Sequence, residues 1–275
     1  ASGIVDSFQK EGLRIFGPDA YGAQLESSKL FARNLMAEKK ILQPSFYSCN
    51  TRAEVEELKV ILDLPLVLKA DGLAAGKGVI ICETDEEFEK ALKTIFEDGE
   101  FGEAARRISL ERCLVGEELS VFAVCDGENF IILNTAQDHK RAFDGDNGPN
   151  TGGMGAYSPT PLSTPELIDK VGVEIIQPTL DAMKDRGHPY TGFLYVGLMI
   201  VDGDPYVIEF NVRMGDPETQ VVLPLLESSL FKLLWDATAG NLKKSEVVIA
   251  SKTAVTVVLA ANGYPGKYEK GMKIK

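Results

Sequence analysis

The stretch Lys69-Ala-Asp-Gly-Leu-Ala-Ala-Gly-Lys-Gly-Val79 constrains the fold more than any other part of this sequence. Apolar runs at residues 64–68 and 79–82 flank it and read as strands. A Walker loop requires G-x-x-x-x-G-K followed by Ser or Thr. Here Gly72 and Gly76 are one residue too close, and Gly78 stands where the hydroxyl belongs. A G-x-G-x-x-G fingerprint does not fit either, and both motifs open a helix rather than a strand. Glycines beside Lys69 and Lys77 still suit a phosphate, because backbone without Cβ atoms approaches oxygens closely. The stretch therefore reads as strand, phosphate loop, strand.

A chain of 275 residues has room for two domains with a substantial core. The net charge of −12 argues against nucleic acid or an anionic membrane as the main partner. An anionic ligand must then be met by local clusters of Lys and Arg. The four cysteines form no C-x-x-C pair and there are only two histidines, which disfavours zinc and fits a reducing, cytoplasmic compartment. No apolar run approaches the ~20 residues of a membrane span, and residues 1–12 lack the apolar core of a signal peptide. The first residue is Ala rather than Met, so the chain reads as processed, cut or incompletely recorded.

Along the chain, residues 4–16 read as a helix end and a short strand at 13–16. Ser27 or Ser28 caps a helix running to about residue 39, and 54–62 is helical. Thr84 and Glu87 form a capping box ahead of Phe88, Ala91, Leu92, Ile95 and Phe96 at helical spacing, with Gly99 and Gly102 ending the helix. Strands are expected at 108–111 and 118–124, and Asp126-Gly127 turns the chain back through 129–136. Residues 138–161 read as a long polar loop, and Thr164-Pro165 starts a helix that Pro178 kinks. Strands at 195–201 and 205–211 flank Asp202-Gly203-Asp204. One helix is expected over 218–239, with Trp235 in the core, and a last strand over 254–261. Hairpins with helices between them indicate an α+β fold with a small inserted lobe.

Two further stretches carry chemistry. In PYVIEFNVRMGDPETQ (205–220), strand alternation puts Val207, Glu209, Asn211 and Arg213 on one face. Glu209 and Asn211 are then about 6–7 Å apart along the strand. A carboxylate and an amide oxygen at that spacing suit one hard cation such as Mg2+, and Arg213 offers a fork for a carboxylate or phosphate. Taken alone, E-x-N is most often a solvated polar face. Residues 110–118 (LERCLVGEE) read as a crossing between lobes. Glu111 and Leu114 are placed at an adenine-binding hinge and Glu118 at the ribose, although glutamates at a strand end are commonly just solvated.

In this order, KADGLAAGKGV, LERCLVGEE, QDHKR (137–141), GPNTGGMGAYSP (148–159), YTGFLY (190–195) and EFNVRMGDPETQ resemble the glycinamide ribonucleotide synthetases, ATP-grasp carboxylate–amine ligases of purine biosynthesis. The likeness spans nearly the whole chain. It implies two α+β lobes gripping ATP, Mg2+ or Mn2+ as the metal, and glycine and 5-phosphoribosylamine as substrates joined through a glycyl phosphate. By this resemblance Lys69 faces the α/β-phosphates, Lys29 lies at the adenine or phosphate side, and Gly72, Gly76, Lys77 and Gly78 close over the triphosphate. Asp138, Lys140, Asn150, Gly152 and Gly153 face the ribosylamine, while Arg213, Gly215 and Asp216 hold glycine. Lys69 and Arg213 are the catalytic candidates. Residues 20–43 and 116–246 form the central domain and 44–115 the lid. Residues 1–19 read as the remnant of an N-terminal domain and 247–275 as the start of a C-terminal one, with other purine-pathway domains as partners. Two alternatives stay open: a Mg-ATP-binding module without turnover, and an ATP-grasp ligase for another carboxylate–amine pair. A departure is noted at 194–201, which offers no second metal-binding carboxylate.

Overall fold

The computed structural model describes residues 3–72, 78–97, 107–145 and 147–273. Gly76 and Lys77, and the expected helix stop at Gly99 and Gly102, lie outside them.

A four-stranded antiparallel sheet contains β1 (Phe46–Cys49), β2 (Leu66–Ala70), β3 (Val79–Cys82) and β4 (Ile108–Arg112) in the order β1-β4-β2-β3. β2 and β3 form the arms of the phosphate-suited loop, with Lys69 opposite Val79. Helices pack on this sheet and are preceded by short α1 (Ile4–Lys10), α2 (Gln24–Ser27) and α3 (Lys29–Glu38). The packed pair is α4 (Arg52–Leu62) and α5 (Asp85–Phe96). α5 starts at the expected capping box, in which Thr84 and Glu87 satisfy each other's backbone N–H groups. Phe88, Leu92 and Ile95 then drop into a core with Val55, Leu66, Leu68, Ile108 and Leu110. Each fully buried side chain of this size contributes about 1.5–3 kcal/mol.

The second sheet has six antiparallel strands. They are β5 (Glu117–Asp126), β6 (Phe130–Asp138), β9 (Gly155–Ser158), β10 (Thr191–Val201), β11 (Asp204–Asn211) and β12 (Ala254–Val257), in the order β11-β10-β5-β6-β9-β12. Short β7 (Arg141–Phe143) and β8 (Asn147–Asn150) pair separately. Both faces of the large sheet are covered. Leu119, Val121, Ala123 and Cys125 face a core with α3 and the helical layer that follows residue 164. Phe122 and Val124 face Val221, Val222, Leu233 and Ala237. That explains why β5 is apolar on consecutive positions rather than alternating ones.

Several expectations change. Residues 13–16 form no strand. The polar loop over 138–161 contains β7, β8 and β9. The helix starting at Pro165 runs on past Pro178 through a π-helical segment, Gly172–Ile176, between α6 (Pro165–Val171) and α7 (Gln177–Asp185). The helix expected over 218–239 is broken into α8 (Thr219–Val222), a 3₁₀ turn through Pro224, and α9 (Leu230–Thr238), which Ser229 caps. Trp235 is half exposed, with the Arg14 guanidinium stacked 4.0 Å from its ring rather than core side chains around it. The last strand stops at Val257, where it pairs with β9. Among the described residues no helix is long and apolar enough to cross a membrane.

Candidate functional site

Between the two sheets lies a cleft of about 550 Å³. The small sheet supplies Val67, Lys69, Val79 and Ile81, and the crossing segment supplies Leu114 and Glu118. The large sheet contributes Tyr195, Met199, Ile208, Glu209 and Asn211. Lys29, Gly72, Gly78, Glu111, Asp138, Lys140, Asn150, Gly152, Arg213, Gly215 and Asp216 complete the expected residues that line it. Gly153 lies outside the cleft, tucked against Pro217.

Cations crowd one wall. Lys69 is buried, with Nζ 2.9 Å from Glu111 Oε2 and donating to the Ile208 carbonyl at 3.0 Å. Burial pushes its ammonium below the ordinary range, and nearby Arg33 adds to that, against the pull of Glu111. Lys29 Nζ lies 3.7 Å from Glu209 Oε2. Lys140 donates to Glu118 Oε2 at 2.7 Å and approaches Asp138 Oδ2 at 3.8 Å. Burial opposes the Lys140 charge, but Glu118 and Asp138 outweigh it and hold its pKa above normal. Burial pushes Asp138 up to about 6, with Lys140 opposing and Glu218 and Glu118 reinforcing.

Glu209 and Asn211 stand on one face at the end of β11, with Asn211 Nδ2 3.3 Å from Glu209 Oε1. Burial raises the Glu209 carboxyl, but Lys29, Lys140 and Lys69 overcome this and hold it below the ordinary range. Val207 is not on this face. A bulge opposite Gly197 and Leu198 breaks the alternation, so Val207 joins the core while Ile208 and Glu209 line the cleft. The pair fits a hard divalent cation by donor chemistry: one ionised carboxylate and one amide oxygen, with ammonium groups nearby for an anionic co-ligand. Among the described residues no group of three or more His, Cys, Asp or Glu forms a protein-only metal cage. Such a cation would share its remaining positions with phosphate and water.

Glu111 does not serve as the hinge. Its backbone is paired on both sides, to Phe46 and Val67. Its carboxylate is buried and accepts from Arg33 Nε at 2.9 Å and Nη2 at 2.6 Å. Burial raises this carboxyl, but Lys69 and Arg33 outweigh it and keep it ionised. The crossing is made further on. Cys113 N–H reaches Pro65 O at 3.3 Å, and Leu114 follows. Gly116 then sits so close to the Ile200 carbonyl that a Cβ would collide with it. Arg213 lies at the rim, with Nε 3.0 Å from Glu26 Oε1 and Nη2 3.3 Å from Asn211 Oδ1.

Several groups in and beside the cleft were not singled out from the sequence. Glu218, within the DPETQ turn, is buried and accepts from Tyr195 Oη at 2.8 Å. Gly215 packs directly on that carboxylate. Glu26 accepts from Val212 N–H at 2.9 Å and anchors the chain leaving β11. Asp71, at the foot of the glycine loop, accepts from Ser28 Oγ at 2.9 Å and Leu30 N–H at 3.2 Å. Arg33, which grips Glu111, was missed as well, and it alone carried a signal: a charge inside an apolar pattern, among buried Leu30, Ala32, Leu35 and Met36.

Comparison with known proteins now bears on the cleft. The family described as phosphoribosylglycinamide synthetase, ATP-grasp (A) domain matches residues 27–219. The chain belongs to the phosphoribosylglycinamide synthetase family. A phosphoribosylamine–glycine ligase of Leptospira interrogans is 45% identical over 274 residues, covering 99% of this chain and 64% of the relative. One from Pseudomonas aeruginosa is 48% identical over 278 residues, covering 100% and 64%. The crystal structure of phosphoribosylamine–glycine ligase from Thermotoga maritima superposes with a TM-score of 0.85 at 42% identity, over 93% of this chain and 64% of that one. The fold is ATP-grasp. The chain thus spans 64% of the length of these synthetase relatives.

Proposed function

We propose that this chain binds Mg-ATP in the cleft and supports ligation of glycine to 5-phosphoribosylamine, yielding glycinamide ribonucleotide, ADP and phosphate. The observation that carries the reading is the meeting of Lys29, Lys69 and Lys140 with Glu209 and Asn211 in one cleft between two sheets, in a chain whose relatives are named phosphoribosylamine–glycine ligases.

In this reading residues 44–115 act as the lid, and residues 20–43 with 116–246 form the central domain. Leu114 offers backbone groups to adenine and Glu118 faces the ribose. Lys69 and Lys29 neutralise phosphate oxygens, which is the main demand of phosphoryl transfer. A divalent cation held by Glu209 and Asn211 would neutralise charge on the transferred phosphoryl group. Arg213, with Gly215 and Asp216, orients the glycine carboxylate towards the γ-phosphorus. Asp138, Lys140, Asn150 and Gly152 line the end of the cleft where the amine would enter. Exclusion of water from the occupied cleft would protect the glycyl phosphate until the amine displaces phosphate.

A second reading, Mg-ATP binding without turnover, draws on the chain's covering 64% of its relatives' length. Calorimetric titration with ATP, followed by a coupled ADP assay, separates the two. ADP release that requires both glycine and the amine supports ligation. Tight ATP binding with no such release supports the binding module, and absence of ATP binding overturns both.

A further inference from the structure

We infer that Arg33 is a positioning residue: it locks the bulge in β11 that aims Glu209 into the cleft and ties that strand to Lys69. This rests on the Mg-ATP reading of the cleft.

β11 is the edge strand of the large sheet. In a regular strand consecutive carbonyls point to opposite sides, so one guanidinium does not reach two in a row. Here Arg33 does. Its Nη1 donates to Val207 O at 2.8 Å, and its Nη2 donates to Ile208 O at 2.8 Å. Ile208 is the bulged residue and Val207 precedes it: Leu198 pairs with Val207 and Gly197 pairs with Glu209, leaving Ile208 unpaired. The bulge thus turns two carbonyls towards α3, and Arg33 answers both.

The same side chain, 2% exposed, grips Glu111 through Nε and Nη2. Glu111 in turn holds Lys69, which shares the Ile208 carbonyl with Arg33. One residue of the central helix therefore joins the lid strand β4, the lysine of β2 and the strand carrying Glu209. If the bulge closed, the strand would slip by one position, and a one-residue slip exchanges the faces of every side chain beyond it. Glu209 would leave the cleft. Lysine is not an equivalent replacement. A single ammonium lacks the planar fork that spans two carbonyls and a carboxylate together.

The test compares ATP titrations with and without Mg2+ for the full chain as wild type, Arg33→Lys and Glu209→Ala. Arg33→Lys should bind metal-free ATP within about threefold of wild type. It should lose about tenfold or more of the affinity gain that Mg2+ brings, the size of one charge-assisted contact, and so resemble Glu209→Ala. Should Arg33→Lys melt below the titration temperature, Arg33→Gln, which leaves Glu111 paired with Lys69 at 2.9 Å, serves for the same readout. A full Mg2+ gain in the folded variant overturns the role. So does an equal loss with and without metal, which is what a purely structural arginine predicts. If wild type itself binds no ATP, the fault lies in the reading of the cleft, and the inference falls with it.

Discussion

Replacing Lys69 by Met removes an ammonium that is held inside the cleft wall by Glu111 at 2.9 Å and the Ile208 carbonyl at 3.0 Å. Two effects separate. The first is on stability. Breaking a buried ion pair by deleting one partner costs about 3–5 kcal/mol, because the other charge stays buried. Glu111 keeps its two-pronged contact with Arg33, at 2.9 and 2.6 Å, so the loss should sit near the low end, about 3 kcal/mol. For a chain of this size that lowers Tm by about 6–10 °C. Adding Glu111→Gln should deepen the loss, because it leaves the buried Arg33 guanidinium without its carboxylate partner. The second effect is on ligand binding. Losing one charge-assisted contact to phosphate costs about 1.5–3 kcal/mol, a drop of roughly ten- to a hundredfold in ATP affinity. Adenosine, which has no phosphate, should bind as before. Scanning calorimetry of the single and double variants, with titrations of ATP and adenosine, reads both. The reasoning is refuted if Lys69→Met binds ATP as tightly as wild type, or if ATP and adenosine weaken together.

Three further outcomes are expected. Glu209→Ala should abolish the Mg2+-dependent part of nucleotide affinity in the same titrations, and an intact Mg2+ response would remove Glu209 from the metal site. Gly215→Ala places a methyl 2.6 Å from the Glu218 carboxyl carbon; forced overpacking of this kind costs about 1–3 kcal/mol. Gly187→Ala meets open space but strained backbone, so scanning calorimetry should find the cost of Gly215→Ala reduced in a Glu218→Ala background, which removes the overlapped group, and that of Gly187→Ala unchanged in it. Asp138 has its carboxyl raised from 3.8 to about 6, first by burial. The folded state then holds this proton more tightly than the unfolded chain, so Asp138 favours folding at low pH, and that contribution is lost as pH rises from about 4 through about 6. The full swing is about 3 kcal/mol at most. Denaturant titrations of ligand-free Asp138→Asn across this window should show the wild-type slope flattened; an unchanged slope counts against the buried carboxyl.

Much of the local structure is written in neighbouring residues. Thr84 and Glu87 start α5 because their side chains satisfy backbone groups three residues away, which needs no tertiary partner. Asp126-Gly127 and Asp202-Gly203 turn the two hairpins for the same reason: Gly127 and Gly203 supply the positive φ. The pairing of β2 with β3 around the glycine loop also follows from adjacent segments. The run expected to be one helix over 218–239 misleads because Pro224 interrupts it, and because Leu226 bridges to the distant Ile249.

The chemistry divides along the same line. Residue types and their spacing alone determine that a glycine- and lysine-rich stretch between two apolar runs, a carboxylate–amide pair and a glycine-rich turn exist in this protein, since each is a property of a few consecutive residues. Which of them share a cleft, that Glu111 supports Lys69 rather than adenine, and that a bulge pinned by Arg33 turns Glu209 inward depend on contacts between residues up to 187 positions apart. Such contacts form only when burial makes an unpaired charge or carbonyl too costly to leave alone, and no local pattern records which partner will answer it.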